Sequence, residues 1–285
     1  MTIANYYRPG SVSEALDILA AHGADLLVIA GGTIAMPLIN EGISLPAEVM
    51  GLRRAGLDTY TRRGDEVILG ATLPITRLVE QTDVPMLRAA ALRTASWSVR
   101  NMATVGGNLF APPPAGDIAA ALLALGATAT ITGRSGTREV ALDDFWTGFM
   151  TTVVAPDELL TSISVPVTSA ATSFIKFGRK RDNTPAVVTV AVTANLDNGI
   201  VRGARIALGA AGPHAIRASN AEAAVHGQPL SASVIAAAAD AAAAECEPFS
   251  VAVATDAYRR QMVRLFVARA LTQLDASAST QGREA

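Results

Sequence analysis

The chain has 285 residues, half of them apolar, and a formal net charge of −2. That is length for two domains with a substantial core, and the near-neutral balance lacks the basic stripe of a nucleic-acid binder. One cysteine, Cys246, excludes an internal disulfide and an all-cysteine iron–sulfur cluster, and MTIANYYRPG is no secretion signal, so a soluble, cytoplasmic chain without a transmembrane segment is expected.

Ser11-Val12-Ser13-Glu14 has the form of a capping box, with Ala15, Leu16 and Leu19 at helical spacing behind it and Gly23 as the stop. Leu26 to Ile29 reads as a short buried strand. Arg53 to Gly64 is polar with two glycines and marks a break between two lobes, about 1–57 and 58–170. Glu66 to Ala71 is a strand, Pro74 to Leu78 starts a helix, and Pro85 to Arg100 has helical composition. Arg100 is expected as a cation at that helix's C-terminus in preference to a phosphate contact. Ala127 to Thr132 and Glu158 to Val165 are strands, with Trp146 and Phe149 between them as core or subunit interface. The paired acids Asp143-Asp144 and Asp65-Glu66 are expected to be solvated.

A small, polar stretch at Ser169 to Ser173 divides the chain into 1–170 and 171–285. Phe174 to Phe177, Ala186 to Leu196 and Ile200 to Leu208 form three strands, the last two joined by an Asp197-Asn198-Gly199 turn. Ser231 to Glu245 is an alanine-rich structural helix. Thr255 to Leu274 is a docking helix with Tyr258, Met262, Leu265, Phe266 and Leu274 on one side and Arg259, Arg260, Arg264 and Arg269 on a solvated one. The tail after Ala276 is expected to be disordered. His22, His214 and His226 each stand beside Gly or Pro and read as exposed turn residues without metal-ligand spacing.

Two double-glycine loops carry the chemistry. Ala30-Gly31-Gly32-Thr33 follows the first strand; Ala103-Thr104-Val105-Gly106-Gly107-Asn108 leads through a proline run to Asp117, which heads an apolar segment. Glycines let a ligand approach peptide N–H groups, and such groups bind phosphates. A carboxylate just beyond suits a ribose hydroxyl. No P-loop, no G-x-G-x-x-G fingerprint and no nucleophile elbow is present, so the usual NTPase, Rossmann and hydrolase devices are missing.

With AGGTIAMPL at 30–38, ILGATLPITRL at 68–78, SVRNMATVGGNL at 98–109 and PAGDIAAALLALGA at 114–127, the chain resembles a known family. DELLTSISVP at 157–166, FIKFGRKRDNTPAVVTVAV at 174–192 and DAYRRQMVRLFVARAL at 256–271 extend the match over nearly the whole length. The family is the FAD-binding medium subunit of the molybdenum hydroxylases, that of carbon monoxide dehydrogenase and xanthine dehydrogenase. The resemblance implies an α+β protein: a two-lobed FAD-binding domain of the vanillyl-alcohol-oxidase type, then a C-terminal α+β domain with a small antiparallel sheet and helices. It implies FAD, bound without a covalent bond, in this chain. Molybdopterin sits in a large partner subunit and two [2Fe–2S] clusters in a small one, as a dimer of heterotrimers delivering electrons to an external acceptor.

By the same resemblance the first loop (Ala30, Gly31, Gly32, Thr33, Ile34, Ala35) and the second (Ala103, Thr104, Gly106, Gly107, Asn108) hold the cofactor's polar linker. Asp117 binds the sugar portion, Thr72 lies along the cleft, and Leu159, Leu160 and Lys176 flank the flavin. Lys176 reads either as a cation near the flavin or as a surface lysine on a strand. Ile34 departs from the family's polar residue at that position. Asp182-Asn183-Thr184 stands where xanthine dehydrogenase types carry consecutive acids. A stand-alone flavin oxidoreductase and a cofactor-free assembly subunit are the alternative readings.

Overall fold

The computed structural model describes residues 3–181 and 183–281. Its first part is a small parallel α/β layer: β1 (Asn5–Tyr7), α1 (Val12–His22), β2 (Leu26–Ile29), α2 (Ala35–Asn40) and β3 (Glu48–Gly51). The strand order is β1-β3-β2, all parallel. The capping box closes α1, for the Ser11 hydroxyl accepts from the Glu14 N–H at 3.2 Å and the Glu14 carboxylate from the Gly10 N–H at 2.7 Å. Ala15, Leu16, Leu19, Leu26 and Met50 form the core beneath it.

An antiparallel layer follows: β4 (Tyr60–Arg63), β5 (Glu66–Gly70), α3 (Ile75–Gln81), α4 (Pro85–Arg93), α5 (Trp97–Arg100), α6 (Val105–Leu109) and α7 (Asp117–Ala124). It is completed by β6 (Thr128–Gly133), β7 (Gly136–Ala141), the short hairpin β8 (Trp146–Gly148) and β9 (Thr151–Thr152), and β10 (Leu159–Pro166). The five-stranded sheet runs β4-β5-β10-β6-β7. Every residue of α7 is buried. The single helix expected over 85–100 is broken in two. Thr94 ends α4, Ala95 takes a left-handed φ of 47°, and the Ser96 hydroxyl caps α5. Arg100 closes the break by donating to the Thr94 and Ala95 carbonyls at 2.9 and 3.0 Å, a cation at a helix C-terminus, that of the preceding helix.

The last part is β11 (Ala171–Gly178), β12 (Ala186–Asp197), β13 (Ile200–Gly209), β14 (Ile216–Arg217), α8 (Ser219–Val225), α9 (Ala232–Glu245) and α10 (Asp256–Gln281). The strands form one antiparallel sheet in chain order. Asn198 and Gly199 both have positive φ, 50° and 78°, as a two-residue hairpin of this twist requires. α7 packs on α4 on one side and on β12 and β13 on the other, so it lies between the second and third layers. Among the described residues no helix is long and apolar enough to cross a membrane.

Several expectations need correction. Arg259 is buried, 2% exposed, while Tyr258 and Leu265 are exposed. The buried stripe of α10 is Arg259, Val263, Phe266 and Ala270, then Leu274, which is helical spacing that includes the arginine. α10 continues to Gln281, past the point where disorder was expected; residues 282–285, like Asp182, lie outside the described residues. Asp143 is exposed, as expected, but it is also paired: Arg205 and Arg217 reach it from the last layer at 2.6 and 2.8 Å. His22 pairs with Glu48 and His214 stacks on Trp146, so only His226 is an exposed turn residue. Trp146 donates to the Leu109 carbonyl at 2.9 Å, Phe149 is exposed, and the aromatic wholly buried in that segment is their neighbour Phe145.

Candidate cofactor site

β2 and the α5–α6 turn deliver the two glycine pairs to one place, but only the first is a loop; Gly106 and Gly107, expected in a loop, lie inside the short helix α6 behind its N-cap Thr104. A Cβ on Gly31 would stand 2.1 Å from the Met102 carbonyl oxygen and 2.9 Å from the Ala103 Cα, so this glycine lets the first loop lie against the second. Gly106 is required in the same way by β5, since its Cβ would meet the Ala71 carbonyl at 2.6 Å. Gly32 has φ +73°, a conformation that favours glycine. Gly107 differs: its Cβ would touch no backbone, only the Thr104 hydroxyl at 2.8 Å, and it borders a cavity of about 890 Å³. That is in the upper part of the range of about 300–1,000 Å³ usual for ligand sites. All sixteen residues singled out from the sequence line this cavity.

The backbone donors divide unequally between the loops. In the second, Val105 N–H bonds to Leu73 O and Gly106 N–H to Ala71 O, both at 2.9 Å. Gly107 N–H goes to the Thr104 hydroxyl at 3.1 Å and Asn108 N–H to the Thr104 carbonyl at 3.0 Å. In the first loop, the N–H groups of Gly32, Thr33, Ile34 and Ala35 donate to no protein group among the described residues. The donors open to an anion are therefore those of the first loop, and the second is its scaffold. Ile34 is no obstacle there, because its contribution is a peptide N–H. Asn108 also serves the scaffold: its side-chain oxygen accepts from the Ile118 and Ala119 N–H groups at 3.0 and 3.1 Å and so caps α7.

That cap holds Asp117 at the cavity wall. The carboxylate meets the Lys176 ammonium at 2.6 Å on one oxygen and the Thr189 hydroxyl at 3.0 Å on the other. Lys176 donates further to the Arg93 carbonyl at 3.1 Å. Lys176 is thus a buried, paired cation and not a surface lysine. Burial pushes the Asp117 carboxyl upward, against the opposing pull of the Lys176 ammonium, the Thr189 hydroxyl and the Arg93 guanidinium.

Thr72 completes the polar wall. Its hydroxyl is buried at the cavity without a hydrogen-bond partner among the described residues, a state that a ligand group would relieve. Leu159 and Leu160 are buried at the end of β10 and face the same space, while Leu19, Leu26 and Leu52 line an apolar region that loop motifs could not reveal. Ala95 at its left-handed φ, Met150 (φ 56°) and Asn183 (φ 49°) also border the cavity. No residue pattern announces the first two; Asn183 belongs to the Asp182-Asn183-Thr184 segment singled out in the sequence. A run of free N–H groups, an orphaned hydroxyl, a buried ion pair and apolar walls suit an elongated ligand with an anionic middle and flat rings. FAD has that form.

Comparison with known proteins bears on the same surface. Residues 2–168 match the family model of the FAD binding domain in molybdopterin dehydrogenase, and residues 173–274 that of the CO dehydrogenase flavoprotein C-terminal domain. The carbon monoxide dehydrogenase medium chain of Hydrogenophaga pseudoflava is 30% identical over 93% of this chain and 95% of its own length. Subunit alpha of the 6-hydroxypseudooxynicotine dehydrogenase complex of Paenarthrobacter nicotinovorans is 29% identical over 94% and 93%. A solved carbon monoxide dehydrogenase of Hydrogenophaga pseudoflava superposes with a TM-score of 0.91 at 32% identity, covering 95% of this chain and 96% of that one. Quinoline 2-oxidoreductase of Pseudomonas putida 86 follows at 0.88 and 27%, over 98% and 99%. With both family models matched in order along one α+β fold, the chain belongs to the FAD-binding medium subunits of the molybdenum hydroxylases, the oxidoreductase family of carbon monoxide dehydrogenase and xanthine dehydrogenase.

Proposed function

We propose that this chain is the flavin relay of a cytoplasmic three-subunit molybdenum hydroxylase. It takes electrons from the [2Fe–2S] clusters of a small partner subunit, which are fed by a large molybdopterin subunit, and passes them to an external acceptor. The names of the relatives, a medium chain and a complex subunit alpha, support companion chains; a dimer of such heterotrimers is the assembly we infer. When bound, FAD supplies the redox chemistry that joins one-electron donors to a two-electron acceptor.

The chain's own residues bind and orient. The free N–H groups of Gly32 to Ala35 receive the pyrophosphate, and the Thr72 hydroxyl donates along the polar linker. Asp117 accepts a sugar hydroxyl with the lone pairs left by Lys176 and Thr189. Gly107 leaves the space open, and Leu159 and Leu160 keep water from one wall. The observation that carries the reading is the run of unpaired N–H groups facing a cavity that also holds the orphaned Thr72 hydroxyl.

Purifying the protein with its companions tests this. One FAD per chain is expected, released to the supernatant by acid precipitation. A flavin-free intact complex would favour the cofactor-free assembly role, and a flavoprotein that purifies without companions the stand-alone oxidoreductase. In rapid mixing, substrate should still reduce the clusters of an FAD-depleted complex, while delivery to the acceptor falls with FAD content.

A further inference from the structure

The most unusual group outside the site is the Arg259 guanidinium. It lies on the apolar stripe of α10, 2% exposed, and meets no carboxylate among the described residues. One nitrogen, Nη1, donates to three carbonyls, Ala186 at 3.2 Å, Val187 at 2.8 Å and Ala210 at 3.0 Å, while Nε and Nη2 have no hydrogen-bond partner among the described residues. A buried charge without a counter-charge is a poor way to stabilise a core, where an apolar side chain of similar size does as well or better. Its placement therefore calls for a role other than stability.

The three carbonyls show what that role is. β11 pairs Phe177 with Val188 and Gly178 with Ala186, so Val187 is an extra residue, a β-bulge. Val187 also has no partner on β13, whose ladder with β12 starts at Thr189 and Gly209. Arg259 supplies a donor for a carbonyl that the bulge leaves outside both ladders. The third acceptor, Ala210, has a left-handed φ of 60° and directly follows β13. Arg259 thus ties the first residues of β12 to the end of β13. Immediately upstream of the bulge, Asn183, Thr184 and Pro185 line the cofactor cavity. Their other side is held by Gly178, where a Cβ would stand 2.6 Å from the Thr184 methyl.

We propose that Arg259 is a positioning residue for the rim of the cofactor cavity, holding Asn183 to Pro185 in place through the bulge at Val187. It touches no ligand. A bulge re-aims a strand, and this one sets the direction in which the chain leaves the cavity. The affinity part of the test rests on the FAD reading; the exchange part does not.

The test uses the full-length chain with Arg259→Met, which keeps the apolar stem, and Arg259→Lys, whose ammonium has three donors for three carbonyls. Amide hydrogen exchange at 183–188 should rise about tenfold in the Met variant, while the centres of β13 and α9 keep wild-type protection. FAD, titrated into the apoprotein, should bind about tenfold more weakly, a loss the Lys variant recovers at least in part. Wild-type exchange at 183–188 in a folded Met variant would overturn the proposal, as would a uniform rise over the whole chain, the mark of a merely structural role. Faster rim exchange with unchanged FAD affinity would overturn the link to the site. If the Met variant does not fold, Arg259→Gln carries the same comparison, since its shorter amide cannot serve the Ala186, Val187 and Ala210 carbonyls together and should raise exchange at 183–188 alone. A wild-type chain that takes no FAD would refute the proposed function and leave the exchange result to decide the positioning role.

Discussion

Lys176→Met isolates the ion pair at the cavity wall. The substitution removes the ammonium 2.6 Å from Asp117 and leaves the carboxylate one protein donor, the Thr189 hydroxyl at 3.0 Å. Breaking a buried pair from one side costs about 3–5 kcal/mol, because the remaining charge is uncompensated. The carboxyl can escape that penalty by taking a proton. Without the ammonium, burial acts on the Asp117 carboxyl with less opposition, so its folded-state pKa rises further above the ordinary carboxylate value. Burial already pushes this carboxyl upward with the lysine present. A raised pKa means that the folded state holds the proton more tightly than the unfolded one. The associated stability is complete below the unfolded pKa and is lost as pH rises through the folded one. The gap between wild type and variant should therefore be on the order of 3–5 kcal/mol at pH 7 and smaller at pH 5. Urea unfolding of the apoprotein at both pH values measures it. Adding Asp117→Asn should close most of the gap at pH 7. A loss under about 1 kcal/mol at pH 7, or an equal loss at both pH values, would refute the account of this pair as buried and charged.

Thr72→Val removes a hydroxyl that has no hydrogen-bond partner among the described residues, so the apoprotein should keep its stability or gain a few tenths of a kcal/mol, while FAD affinity falls about five- to tenfold; calorimetry and flavin titration read the two effects separately. Gly107→Val should empty the site through bulk alone, since no left-handed φ is recorded for Gly107 and the new side chain displaces only the Thr104 hydroxyl before entering the cavity; flavin content of the purified, folded variant is the measurement. Asp143→Asn should cost about 1 kcal/mol at pH 7. Burial raises this carboxyl, but the Arg217 and Arg205 bonds outweigh it and hold its pKa below the ordinary value. Its stabilisation is therefore present above the unfolded pKa and lost on acidification through the folded one, so the difference in thermal unfolding between variant and wild type should shrink as pH falls below the ordinary carboxylate value.

Local signals were legible where one residue type has one physical use. Ser11 and Glu14 mark the start of α1, Asn198-Gly199 the hairpin of β12 and β13, and Ser231 the start of α9, where its hydroxyl accepts from the Val234 N–H. The two Gly-Gly pairs were legible as one site for a comparable reason, since two of them beside hydroxyl residues in one chain exceed what turns alone require; that the second lies inside the short helix α6 was not legible. What each glycine does was not. Gly31 and Gly106 answer to neighbouring backbones far away in sequence, at Met102 and Ala71, and nothing local distinguishes them from Gly32 and Gly107. The break at Ala95 carries no signal, because alanine favours helix and its left-handed φ is imposed by the turn that Arg100 closes. The charge of Arg259 predicts a solvated face, whereas its spacing from Val263, Phe266 and Ala270 puts it on the buried one. Positions 259, 263, 266 and 270 make a buried stripe whatever occupies them.

The Asp117–Lys176 pair shows why the site needs the whole chain. Asp117 lies in the segment matched as the FAD binding domain, 2–168, and both of its partners, Lys176 and Thr189, lie in the segment matched at 173–274. Inside the first segment alone, the Asp117 carboxylate would have only the Arg93 guanidinium nearby and neither of its hydrogen-bond partners, the Lys176 ammonium and the Thr189 hydroxyl. The third layer supplies both, and Arg205 from the same layer donates to the Leu123 carbonyl at 3.0 Å near the other end of the helix. Both ends of α7 are thus held by the last layer, and the helix carries the cavity's carboxylate. A shift of that layer would move Asp117, and with it the wall against which we place the sugar. The C-terminal part of the chain is in this physical sense a structural member of the cofactor site, although none of its residues belongs to either glycine loop.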